Sequence, residues 1–223
     1  MFMANCPNCG AAISFRSINL PVRVCDYCHS SIVRSDAGLV STGKVAEVPE
    51  DVSPLQIGVR GKDGAHSFEL IGRVRWRWTD GGWNEWLALF DDGSTGWIGE
   101  AMGRYMLLRE VPSTGPGNAV ERSLREGKEV ILGTEVMINW VKYRVTDVKQ
   151  AVCAGSEGEL PFNTPPGFAM PSVDLMADDG HCASIQKDGD TVQVYAGRYA
   201  TLAELKPTGL RAFEGWPMPR FAA

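Results

Sequence analysis

The stretch Phe68-Glu69-Leu70-Ile71-Gly72-Arg73-Val74-Arg75-Trp76-Arg77-Trp78 decides how this 223-residue chain is read. It begins with mixed apolar and polar positions. From Arg73 onward it alternates strictly, with Val74, Trp76 and Trp78 on one face and Arg73, Arg75 and Arg77 on the other. A period of two marks a strand with one face buried. Thr79-Asp80-Gly81-Gly82 is a turn signal, and Trp83 to Phe90 reads as the returning strand of a hairpin. Asp91-Asp92-Gly93 turns again before Thr95 to Ile98 opens another strand. The only helical pattern is Ala119 to Glu126, ended by Gly127. The expected fold class is mainly β.

Upstream stand two cysteine pairs, Cys6-Pro7-Asn8-Cys9 and Cys25-Asp26-Tyr27-Cys28, with fifteen residues between them. Two residues between thiolates let both sulfurs of a tight turn face one ion at about 2.3 Å, and two such turns complete a tetrahedron. Short strands are expected at Ala11 to Phe15, Val22 to Val24 and Ser31 to Arg34, so residues 1–45 read as a zinc ribbon with a structural Zn2+. Four cysteines leave no open position for an activated water. His29, next to Cys28, would break the two-residue spacing and is not expected as a ligand.

The acid- and proline-rich segment 46–54 reads as a linker. Beyond it, Ile57-Gly58 and Phe68 to Val74 match Leu132-Gly133 and Tyr143 to Lys149 at an offset of 75. Leu89 to Gly93 echoes Met176 to Gly180, and Gly103-Arg104-Tyr105 echoes Gly197-Arg198-Tyr199. These echoes predict two related antiparallel β-modules, barrel-like or sandwich-like, at 55–111 and 130–206. Between them lies a linker with a short helix (112–129), and after them an aromatic and proline-rich tail (207–223). The second module carries a Pro/Gly-rich insertion, Gly155 to Pro171, too long for an ordinary hairpin loop.

The glycine-led strand, Phe68-Glu69-Leu70-Ile71-Gly72, Trp83-Asn84-Glu85-Trp86, and Asp92-Gly93 before Trp97-Ile98 together resemble domain-of-unknown-function family 4178. Its members often carry a zinc-ribbon start and a tryptophan-x-glutamate-aromatic signature. The likeness covers most of Leu55 to Leu205, strongly in the first module and weakly in the second, where Val173 and Asp174 occupy the comparable strand. It implies an architecture and a bacterial origin, with any shared binding surface in the first module; it implies no reaction.

Charge and cysteine usage narrow the function. The net charge of −5, made more negative by about −2 when four thiolates hold one divalent cation, disfavours nucleic acid. A nucleic-acid reader would have to use Arg16, Arg23 and Arg34. No basic and apolar leader and no long apolar run are present, so a cytoplasmic protein without a membrane span is expected, with Cys153 and Cys182 as free thiols. His181 and Cys182, adjacent on a strand, point to opposite faces and cannot form a dyad.

Trp76, Trp78, Trp83, Trp86 and Trp97 fall within 22 residues. Most are expected in the core; Trp83, Glu85, Trp86 and Trp97 are the candidate partner-binding residues. The arginines of the opposite face are expected to be solvated. Glu85 and Glu100 lie closest to the aromatic cluster, and a hydrolase centred on Glu85 is the enzymatic alternative, although no nucleophile or second partner can be placed beside it. No catalytic residue is assigned. The function expected is a non-enzymatic cytoplasmic adaptor or scaffold that binds protein partners, with no small-molecule substrate evident.

Overall fold

The computed structural model describes residues 2–215 together with Pro217, Pro219 and Phe221. Trp216 and Met218, which belong to the aromatic and proline-rich tail, lie outside the described residues. The chain is mainly β, as the alternation predicts. The N-terminal unit has strands β1 (Phe2–Asn5), β2 (Ala12–Phe15), β3 (Val22–Val24), β4 (Ser30–Ser35) and β5 (Gly38–Lys44). Then come β6 (Arg60–Asp63), β7 (His66–Trp78), β8 (Gly81–Phe90), β9 (Thr95–Ala101) and β10 (Arg104–Val111). Helix α1 (Ala119–Arg125) leads to β11 (Glu135–Ile138), β12 (Val141–Leu160), β13 (Ala169–Ala177), β14 (His181–Asp188) and β15 (Thr191–Ala200), and α2 (Leu202–Leu205) follows. Asn118 caps α1 by accepting from the amides of Val120 and Glu121, so the helix starts where expected.

Residues 55–111 and 130–206 supply the two halves of one closed ring. Each half is a four-stranded antiparallel meander, β7 to β10 and β12 to β15. The halves join at two antiparallel seams: β10 pairs with β15 from Tyr105↔Ala200 to Val111↔Val194, and β7 pairs with β12 from Arg77↔Val152 to Gly72↔Gly158. Closure leaves no free edge among these eight strands. The segment expected as an irregular insertion from Gly155 is strand as far as Leu160, because its backbone groups find partners on β7 and then on β3. Only residues 161–168 form a loop.

Glycines permit both seams. At Gly72 an added Cβ would lie 1.9 Å from the Glu159 carbonyl oxygen, and at Gly197 1.9 Å from that of Leu107. These are backbone contacts that no rotamer change can relieve. Of the sequence echoes, the hydrogen bonds of Gly58 to the Leu70 carbonyl and Gly133 to the Val145 carbonyl keep the offset of 75, and Gly93 and Gly180 close matching turns. The Gly103 and Gly197 echo does not: Gly103 is in a turn at φ +75°, whereas Gly197 lies inside β15.

Alternation along the ring separates three cores. The interior holds Val74, Trp76, Leu87, Trp97, Leu108 and Tyr195, with Leu20 and Val22 of the N-terminal unit packed among them. Outside the first half, Phe68, Trp86, Ile98 and Leu107 are covered by Leu55, Val59 and Leu205. Outside the second half, Val145, Leu175, Ile185 and Val194 are covered by Val120 and Leu124 of α1. Each sheet face is thus apolar, which explains why β8 shows buried residues at consecutive positions from Asn84 to Ala88.

The expected linker 46–54 is fastened down. Asp51 accepts from Asn84 at 3.0 Å and pairs with Arg73 and Arg211, while the Ser53 hydroxyl donates to Glu100 at 2.5 Å. Arg73 corrects the expectation of a solvated arginine row: it is 5% exposed, donates to Asn84 Oδ1 and lies 4.4 Å over the Trp86 ring. Arg75 is half-buried and Arg77 exposed. The tail returns to the body through Thr208 and Arg60, which exchange backbone hydrogen bonds.

Replacing Gly197 by Val forces its side chain into the β10 backbone and should cost about 3 kcal/mol or more in urea unfolding. Gly99→Ala is the control: its Cβ would meet nothing nearer than 3.7 Å, and the change should stay within about 1 kcal/mol. Equal costs for the two would contradict the close seam.

Candidate functional site

Two places bring chemistry-bearing residues together. In the N-terminal unit, tight turns after β1 and β3 put one sulfur each from Cys6, Cys9, Cys25 and Cys28 within 4.8 Å of one another. The Cys6–Cys28 and Cys9–Cys25 sulfur separations are both 3.8 Å. Four sulfurs about 2.3 Å from one ion have tetrahedral edges of about 3.8 Å, so the set fits a metal ion with all positions filled. Asn8 donates to the Cys28 sulfur at 3.5 Å. His29 points elsewhere, with Nε2 3.3 Å from Glu47.

This unit is bound to the ring. Arg23↔Glu159 and Leu160↔Val22 continue the sheet from β12 into β3. Glu159 is fully buried and accepts from the amides of Arg16 (2.6 Å) and Ser17 (3.0 Å). Arg16 also pairs with Glu69, Arg23 with Asp26 at 2.6 Å, and Arg34 lies over Phe15 while donating to the Leu20 carbonyl. All three arginines of the nucleic-acid alternative are spent on intramolecular contacts.

The second place is inside the ring. A cavity of about 520 Å³ opens between the β9–β10 turn and β15. Inward positions of β8 and β9 bring Trp83, Glu85 and Trp97 to its wall, together with Asp174, Gln186 and Tyr195 from β13 to β15. Its size is that of a small-ligand site. Phe162 and Phe168 stack on Trp97 and Trp76, at 6.1 and 5.9 Å, within the packed part of the interior. A larger depression of about 700 Å³ beside the β11–β12 hairpin is more open, and its acid Glu135 is already paired with Lys142 at 3.2 Å.

Glu85 is the deepest ionisable group of the cavity. Its Oε2 accepts from the Trp76 indole at 2.9 Å, and its Oε1 from the Trp83 indole and the Gln186 amide, both at 3.1 Å. Every donor is neutral. Burial therefore pushes its carboxyl above the usual range despite those bonds. Asp174, on the opposite half of the ring, rises to about 6, chiefly through burial and then through the nearby Glu85 charge, against a hydrogen bond from Ser184. Lys149 lies near the rim, bonded to Asp147 at 2.9 Å and placed 5.1 Å from the Trp78 ring.

The structure thus gathers three of the four expected partner-binding residues and separates the fourth. Trp86 faces out of the ring, fully buried, and donates to Glu100 Oε2 at 2.9 Å. Glu100 belongs to that outer network with Ser53 and Asn84. Cys153 and Cys182 are free thiols, with burial pushing Cys182 up to about 12. Asp174, Ser184 and Gln186 were not singled out from the sequence; the signal was present as polar residues at every second position of otherwise apolar strands. The walls come from both halves of the ring, not from the first alone.

The model of the family DUF4178, a domain of unknown function, matches residues 56–201, from the covering segment before β6 to the end of β15. The chain belongs to the DUF4178 family. No curated protein and no solved structure matches it. The DUF4178 match includes both halves of the ring and every cavity residue named above, and leaves the four-cysteine unit outside. Among the described residues, no helix is long and apolar enough to cross a membrane.

A carboxyl with a raised folded-state pKa binds its proton more tightly folded than unfolded, so its contribution falls as pH rises from about 4 through 6. Asp174→Asn should remove that fall. Relative to the parent chain, the variant should gain about 1–2 kcal/mol between pH 4 and 7.5 in urea unfolding. An unchanged difference across that range would place Asp174 in water.

Proposed function

We propose that this DUF4178 protein is a non-enzymatic adaptor of a reducing, cytoplasmic compartment. Zinc held by Cys6, Cys9, Cys25 and Cys28 braces a ribbon against the ring, and the ring's cavity receives a group presented by a protein partner. The observation that carries this reading is the convergence of Trp83, Glu85 and Trp97 on one aromatic and acidic cavity that opens beside Met102. Four thiolates favour zinc over harder cations and leave it no substrate position. The two halves are read as copies of one β-module, supported by the matching bonds of Gly58 and Gly133. The hydrolase alternative would need a nucleophile or second catalytic partner beside Glu85, whose carboxyl is bonded instead to the Trp76 and Trp83 indoles and the Gln186 amide.

Metal analysis of the purified chain should find one zinc per molecule, absent from Cys25→Ser. Because β3 belongs to the same sheet as β12, removing the metal should lower the melting temperature of the ring as well, by several degrees. A ring that melts unchanged would mean the ribbon is an independent domain. For the adaptor reading, a photo-crosslinker at Met102, fully exposed beside the cavity mouth, should trap a defined partner that the same probe at exposed Ile131 does not. Equal trapping from both positions would contradict docking at the cavity.

A further inference from the structure

We propose that the group received by the cavity is an organic ammonium, either a lysine side chain of the partner or a free alkylamine. The inference rests on the cavity being the binding site and adds the chemistry of what binds there. Glu85 and Asp174 come from opposite halves of the ring and line the same cavity. Glu85 is 9% exposed, and all three groups bonded to it are neutral. A buried carboxylate without a cationic partner is costly, and a desolvated cation beside it removes that cost. Two cations also line the cavity, Lys149, paired with Asp147 at 2.9 Å, and the exposed Arg104, but neither is among the groups bonded to Glu85.

The walls suit the same guest. Trp83 packs against Trp76 at 6.3 Å and Trp78 at 5.6 Å, forming a continuous indole surface next to Glu85. Trp97 and Tyr195 also line the cavity. Aromatic faces attract cations and repel anions, and the attraction strengthens as water is excluded. An anion would meet two carboxylates, and a neutral apolar guest would leave them unanswered. A linear alkylammonium places its methylenes against the indoles and its charge between the acids.

The carboxylates also suit an ammonium better than a bare metal ion. Glu85 is already committed to three N–H donors, so it offers charge more than open coordination positions. A guest able to bond Asp174 and feel Glu85 through space needs only one such contact. Gly99 on the wall leaves room for its chain; a Cβ there meets only Met106, at 3.7 Å.

The test uses the full zinc-loaded chain and follows tryptophan fluorescence during titration with butylammonium, 1-butanol and butyrate, and with a lysine-containing peptide and its norleucine counterpart. Butylammonium should bind saturably and at least tenfold more tightly than 1-butanol, with butyrate weakest. Asp174→Asn should lose that preference, and so should Glu85→Gln where it folds. Gly99→Leu, which fills the cavity from the wall beside Glu85 while leaving both carboxyl groups in place, should abolish binding of every probe. The source is read from the peptide pair: tighter binding of the lysine peptide than of butylammonium assigns a partner side chain, and the reverse a free amine. If 1-butanol or butyrate binds as well as butylammonium and Gly99→Leu blocks it, the ammonium inference is overturned while the cavity remains the binding site. If no probe binds, or Gly99→Leu changes nothing, both are overturned.

Discussion

Closure of the ring at β7 and β12 is the constraint from which the rest of the structure follows. Gly72 and Gly158 face each other there, so close that neither strand has room for a Cβ at that point. Gly158 takes φ +77°, a region open to glycine at little cost, next to the shift in register between Cys153 and Gly155. The opposite seam has the same requirement at Gly197. Strands that curl this tightly turn one face inward, so every inward side chain is committed to a shared interior. The cavity exists because the interior is only partly filled: Trp76, Leu87, Leu108 and the ribbon's Leu20 and Val22 pack one part. Small or polar residues such as Gly99, Ser184 and Asp174 line the other.

The same closure explains how polar groups are divided. Outward-facing Arg73, Asn84 and Glu100 would be solvated on an open sheet. Here the covering segment lays Asp51 and Ser53 over them, and each finds a partner in one network that also holds the Trp86 indole. Inward-facing Glu85 finds only neutral donors. The two acids of adjacent strands therefore have opposite surroundings: Glu100 is built into the outer network, and Glu85, bonded only to neutral donors, is left without a cationic partner. Glu159, a third buried acid, fixes the ribbon by accepting two of its backbone amides, each such charged bond contributing about 1.5–3 kcal/mol. The four-cysteine unit is thus coupled to the ring by hydrogen bonds, sheet continuity and a shared core.

Much of this was legible in the order of residues. The strict alternation from Arg73 to Trp78 gave the first hairpin, whose strands pair from Phe68↔Phe90 to Trp78↔Gly81. The two CxxC pairs gave the sulfur cluster, and the pattern from Ala119 to Glu126, ended by Gly127, gave the helix. What stayed hidden depends on pairing between distant segments. Gly155 to Leu160 looks like loop because glycine, serine and glutamate have weak strand preference, yet β7 and β3 hold it in the sheet. The burial of Arg73 depends on Asp51, 22 residues earlier, lying over it. Asp174 could not be joined to Glu85 before the halves were known to close on one interior.

A closed β-ring joined to a four-cysteine unit offers one concave site rich in indole and carboxylate. That site depends on β7 and β12 being neighbours, since otherwise Glu85 and Asp174 belong to separate surfaces. Cross-strand NMR contacts in the full-length protein test this most directly. The register Cys153↔Trp76 and Ser156↔Val74 predicts nuclear Overhauser effects between the backbones of these pairs, with their amides strongly protected from hydrogen exchange. Absence of those contacts, with the amides of 153–158 exchanging as fast as an open edge, would contradict it.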